Sequence, residues 1–258
     1  MFNKEEFQKN KNLIKALVKR ELKAKYKQSI LGKLWIVIQP FLLMIVLSIV
    51  FSRIVNISSG IVPYPVFLYT ALLPWTLFTN SVGNSAGIFT ANASLIKQRP
   101  FFRPALVIQR LFNEVINFLF SLLGYIALIV FYQVDLSMHI FFVLPVLLLQ
   151  IYLMFSFMLI ISSVNVYFRD VSLIMPIILR VWFYLSPVIY SKESLGNYYW
   201  LYYINPMAPI IEAYRNVVLY KEYPNLNSLI FCFLTATVVF ISSIIIFKKI
   251  GKNFADVL

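Results

Sequence analysis

Apolar residues gather into six stretches, 34–54, 66–89, 111–133, 140–165, 171–190 and 226–247, separated by shorter and more polar connections. A helix rises 1.5 Å per residue, so about 20 residues cross a hydrocarbon core about 30 Å thick. The pattern predicts an all-α membrane protein, with six transmembrane helices in a single domain over residues 1–258. The second stretch is the least apolar, because Thr70, Thr76, Thr79, Asn80, Ser81, Asn84 and Ser85 run through it. Such a helix is expected to face protein or a polar path rather than lipid.

Two further segments have their own periodicity. Across 4–30, Leu13, Ile14, Leu17, Val18 and Leu22 share one half of a helical wheel, opposite Lys15, Lys19, Arg20, Lys23 and Lys27. This predicts an amphipathic helix lying on the membrane, within a cytoplasmic segment 1–33; the alternative is an ordinary basic flank. Some thirty mostly polar residues precede the first apolar stretch, which does not read as a cleavable signal. Between the fifth and sixth stretches, 191–225 carries Tyr198, Tyr199, Trp200, Tyr202 and Tyr203, too aromatic for open water. Pro206 and Pro209 interrupt any continuous crossing, so two short interfacial or re-entrant helices broken at Asn205–Pro206 are predicted.

Composition and charge narrow the class. At 60 % hydrophobic and 13 % charged residues, with mean hydropathy +0.80, the chain is too apolar for a soluble domain. Of 23 Lys and Arg, 18 lie on connections that share one side: ten in 1–33, four in 90–110, Arg169, and three in 248–258. The other side carries Lys192, Arg215 and Lys221, which predicts that both termini are cytoplasmic. The net charge of +13 flanks apolar spans without a zinc or RNA-binding motif, so membrane lipid is the expected partner and nucleic acid is not. Cys232 is the only cysteine, and a packing role is expected of it.

Catalytic chemistry is not legible. His139 is the only histidine, and there is no H-E-x-x-H, no G-x-S-x-G and no phosphate-binding glycine loop. No catalytic or metal-binding residue is expected, and the chain does not read as an enzyme. Charged groups inside the spans are few. Glu114, with Asn117 one turn on, is expected to pair with Arg110 at i,i+4 spacing. Arg180 sits mid-span beside Trp182, Phe183 and Tyr184, and either contacts a polar substrate or stitches two helices. The 24 Phe, 16 Tyr and 4 Trp fit lipid-facing and interfacial belts, and Tyr and Trp also suit a conduit for sugars.

Four strings carry a resemblance. The run KYKQSILGKLWIVIQP, Lys25 to Pro40, resembles the start of the first span of type 2 ABC exporter membrane subunits. NVYFRDVSLIMPIILRVWFYLSPVIY, Asn165 to Tyr190, is similar to that family's cytoplasmic turn and fifth span, with Phe168-Arg169-Asp170 and Ser186-Pro187 at matching places. YYINPMAPIIEAYRNVVL, Tyr202 to Leu219, is similar to its Asn-Pro segment, and Leu73-Pro74-Trp75 adds a fourth match. Together these resemble the branch that exports polysaccharide: O-antigen, capsule or teichoic acid.

The resemblance implies a homodimer bound to two copies of a separate cytoplasmic ABC ATPase, which carries ATP and Mg; no cofactor is expected in this chain. The exported molecule would be a polyprenyl-pyrophosphate-linked or other lipid-linked glycan, crossing the cytoplasmic (inner) membrane of a bacterium or archaeon. The link 91–104 would be the coupling helix that docks on the ATPase, with Lys97, Arg99 and Arg103. Under this reading Arg20, Lys23, Lys25 and Lys27 form a basic rim for the substrate headgroup. Trp35, Arg180, Trp182, Tyr184 and Tyr190 are placed along the glycan route, and 191–225 is an external gate segment with Asn205 and Pro206 at its break. A type 2 ABC exporter of a small molecule, drug or peptide is the alternative, with the same architecture.

Overall fold

A computed structural model describes residues 8, 12, 14–19, 21, 32–57, 60, 62–98, 101–198 and 200–258, and among these there is no strand. The helices are α1 (Trp35–Ser48, continuing as a π-helix Ile49–Ile54), α2 (Tyr64–Gly83), α3 (Ala93–Gln98) and α4 (Pro104–Phe131). They are followed by α5 (Val143–Tyr167), α6 (Val171–Leu185), α7 (Trp200–Ile204), α8 (Met207–Arg215), α9 (Leu226–Ile250) and α10 (Phe254–Val257). Among the described residues, four helical stretches are long and apolar enough to cross a membrane: Trp35–Ile54, Pro104–Phe131, Met138–Tyr167 and Leu226–Val257.

The helix boundaries follow local chemistry. Pro104 occupies the first turn of α4, where its missing N–H costs nothing, and Asn225 caps α9 by accepting from the Ser228 amide at 3.1 Å. Lys221 adopts a left-handed conformation (φ 57°), which ends the π-helix after α8. The predicted second stretch ends early, at Gly83, and 84–89 turns away before the short helix α3.

Burial inverts the soluble-protein rule. The least apolar long helix, α2, is the most enclosed, with 15 of its 20 residues buried against α1, α4, α5, α6 and α8. The very apolar α9 buries only Cys232, Ala236 and Ser243. In lipid the outward face is satisfied by hydrocarbon, so polar side chains collect where protein meets protein. Thr70 accordingly meets the Tyr125 hydroxyl of α4 at 2.5 Å, and Gln150 of α5 donates to the Pro74 carbonyl at 2.7 Å while accepting from Tyr214 of α8 at 2.9 Å.

Small residues allow the closest approach. A Cβ on Gly124 would come within 3.0 Å of a Val37 methyl and 3.3 Å of the Tyr69 hydroxyl, so α4 meets α1 and α2 there without a side chain of its own. Ser121, one turn earlier, donates to the Ile36 carbonyl at 3.0 Å. Of the N-terminal helix, residues 14–19 are helical with Leu17 buried and Lys15 and Lys19 exposed, and the rest lies largely outside the described residues.

Candidate functional site

Beyond the C-terminal end of α6 the backbone is held by side chains from several elements. After Leu185 the helix stops, and six consecutive carbonyls need partners. The Asn205 amide donates to Leu185 O at 3.3 Å, and the Val188 amide to Ser186 O at 2.7 Å. The Arg215 guanidinium donates to Pro187 O at 2.7 Å, Val188 O at 2.7 Å and Tyr190 O at 3.1 Å, and the Tyr64 hydroxyl takes Ile189 O at 2.8 Å. A planar fork of donors suits such a row better than an ammonium would. Arg215 is buried and lies 3.6 Å above the Phe67 ring.

Asn205 is the second anchor. Its side-chain oxygen accepts from the Trp182 indole at 2.8 Å and from the Met207 amide at 3.0 Å, while its amide also donates to Ser186 Oγ at 2.8 Å. The break between α7 and α8 is thereby fastened to the end of α6. Pro206 beside it receives the Cys232 thiol at 3.3 Å from α9, a packing contact for the lone cysteine.

The remaining aromatic candidates separate. Trp182 packs edge-on against Phe78 and Phe157, inside the helix bundle. Tyr184 is 61 % exposed and shares an outward stripe of α6 with Leu173, Ile177 and Arg180. Arg180 has no carboxylate partner among the described residues. The Tyr190 hydroxyl bonds Tyr184 O at 3.0 Å, and Trp35 lies far along the chain at the start of α1.

Beside the 191–225 segment a cavity of about 590 Å³ is lined by Lys192, Glu193, Glu212, Arg215, Tyr220 and Glu222, with Lys192 and Glu212 ion-paired. Burial pushes the Glu193 carboxyl up, but its backbone and Ser191 hydrogen bonds and the charges of Lys192 and Arg215 outweigh this and leave it below the usual range.

On the opposite end, the predicted Arg110–Glu114 pair is present at 2.8 Å, and Asn117 donates to Glu114 at 3.1 Å. Arg110 also pairs with Glu21, whose carboxylate accepts from Gln109 at 2.5 Å and Asn113 at 2.8 Å. The N-terminal helix is thus tied to the start of α4. A cavity of about 300 Å³ opens beside this cluster, between α1, α2 and α4.

Of the coupling residues, Lys97 is exposed on α3, whereas Arg103 turns toward the C-terminal end, donating to the Gly251 carbonyl and lying 5.6 Å from the Phe254 ring. Phe254 is fully buried, 5.1 Å from the Phe89 ring, and Tyr167 at the end of α5 donates to Ile250 O at 2.9 Å. Arg20, Lys23, Lys25, Lys27 and Arg99 lie outside the described residues.

Residues 12–219 match the ABC-2 type transporter family. The chain belongs to that family of membrane subunits. Its members are transport permeases, with ATP hydrolysis on a separate ATPase. This permease is 28 % identical over 253 residues to the O-antigen export system permease protein RfbA of Klebsiella pneumoniae, covering 96 % of this chain and 95 % of the relative. It is 27 % identical to the protein of the same name from Myxococcus xanthus, over 95 % of each chain. It is 25 % identical to the polysialic acid transport protein KpsM of Escherichia coli, over 83 % of each. Sequence reasoning had placed Arg215 among the external charges and missed its role; a buried-type neighbourhood, Ile210, Ile211 and Val217, was the available signal.

Proposed function

We propose that this chain is the membrane subunit of an ABC exporter that carries a lipid-linked polysaccharide outward across the cytoplasmic membrane, as a homodimer joined to two ATPase subunits. The observation that carries the reading is the nearly full-length likeness to permeases named for O-antigen and polysialic acid transport. A glycan cannot enter hydrocarbon, since each unsatisfied polar group costs several kcal/mol, so a protein-lined route is required. The outward stripe of α6, carrying Arg180 with no carboxylate partner among the described residues, suits the wall of such a route better than a lipid face. The named relatives favour this reading over a small-molecule exporter.

In this reading α1, α2, α4, α5, α6 and α9 are the six spans. The 15 residues of α6 rise about 22 Å, and the non-helical 186–190 completes the crossing. Helices α7 and α8 form the external gate segment, and the 91–104 link couples to the ATPase through Lys97, Arg99 and Arg103. Deleting the gene should remove surface glycan, measured by antibody or lectin, and raise lipid-linked glycan inside the cell. Unchanged surface glycan would refute the assignment.

Orientation is a separate test. In a Cys232→Ala background, Asn197→Cys should react with an impermeant thiol reagent on intact cells or spheroplasts, and Ala91→Cys only after permeabilisation. The reverse pattern would invert the topology.

A further inference from the structure

The cavity between α1, α2 and α4 carries a cluster of polar side chains on an otherwise apolar wall. Trp35, Gln39, Thr76, Asn80, Glu114 and Asn117 line it, and Glu114 is buried. The side-chain amides of Gln39 and Asn80 are exposed and make no hydrogen bond to other described residues. Side-chain amides without a partner inside a membrane are costly unless something polar lies between them.

We propose that this cavity binds a neutral sugar ring, namely the first glycosyl unit of the exported lipid-linked glycan; the inference rests on the export reading above. Its depth fits. Glu114 lies near the cytoplasmic start of the third predicted span and Ser121, also on the wall, about 10 Å further in. A sugar attached to a headgroup in the inner leaflet would reach that zone. Its chemistry fits too. Glu114 Oε1 accepts from Arg110 and Oε2 from Asn117, so each oxygen keeps a lone pair for a hydroxyl. Thr76 Oγ1 donates to Leu72 O at 2.7 Å, which leaves it an acceptor toward the cavity, while Gln39 and Asn80 offer both donors and acceptors. Trp35 adds an aromatic side chain to the lining.

The same groups exclude other occupants. Arg110 is shared between Glu21 and Glu114, so among the described residues the cluster carries one net negative charge, which disfavours a phosphate or pyrophosphate in the cavity itself. An acyl chain would leave both free amides unsatisfied. The volume, about 300 Å³, stands at the lower end of ligand pockets and suits one or two rings rather than a polymer.

The test uses the permease–ATPase complex in nanodiscs, with Cys232→Ala and Leu43→Cys, which places a thiol on the cavity wall. Probes are the methyl glycosides of every sugar released by hydrolysis of the host's own surface glycan, with inorganic pyrophosphate as the anionic control. At twice its Kd, a bound glycoside should slow labelling by a neutral thiol reagent about threefold. Protection should vanish in Gln39→Ala/Asn80→Ala, which truncates two exposed side chains and should leave ATPase co-purification intact. No protection by any glycoside, equal protection in the double variant, or protection by pyrophosphate would each overturn the proposal. If gene deletion abolishes surface glycan and protection fails, the pocket assignment falls and the export reading stands.

Discussion

Arg215→Met is expected to destabilise the permease by about 3 kcal/mol or more, because it strips two buried carbonyls and a part-buried one at once and each unmet group costs roughly 1–3 kcal/mol. Met matches the length of the side chain but donates nothing, so the Pro187, Val188 and Tyr190 carbonyls lose their partner. Arg215→Lys keeps the charge and loses the fork, and should fall between the two. Thermal unfolding and recovery of the purified complex measure the effect. A melting point equal to that of the native protein in the Met variant would show that the carbonyl row is held by other means.

Phe254→Ala should have the other large effect, and on a different property. Emptying a fully enclosed aromatic site costs about 3–5 kcal/mol. Here the loss is local to the seam where Phe89, Arg103 and the end of α9 meet. The complex should still assemble, while glycan exported per ATP hydrolysed drops severalfold, because the link after α3 is no longer fixed to the last long helix. Lys97→Gln, altering an exposed charge on α3, should instead reduce recovery of the ATPase with the permease. Unaltered coupling in Phe254→Ala would remove the seam from force transmission.

The long helices were legible because hydrocarbon imposes a length and a composition that a sequence displays directly. Thr70, Thr76 and Ser81 likewise announced that α2 would be enclosed, since polar side chains seek protein in a membrane. Asn205–Pro206 was readable as a break from proline chemistry alone. What escaped was pairing across distance. Arg215 lies 25 to 28 residues from the carbonyls it serves, and nothing in charge counting separates a guanidinium in solvent from one capping a broken helix. Glu21 is about 90 residues from Gln109, Arg110 and Asn113, and no local spacing rule connects them. The Arg103 contact to the Gly251 carbonyl, 148 residues on, is likewise invisible to any local rule.

The enclosure of α2 also bears on how the protein is made. A helix crowded with threonine, serine and asparagine gains little by leaving the translocon alone, as insertion favours Leu, Ile, Phe and Val and tolerates polar residues poorly. Its Thr70 hydroxyl finds Tyr125 only when α4 has been synthesised, and Gln150 and Tyr214 arrive later still. On the proposed six-span reading, α2 is expected to be retained beside its neighbours until they emerge, so that membrane integration proceeds as a joint event of several segments rather than one helix at a time.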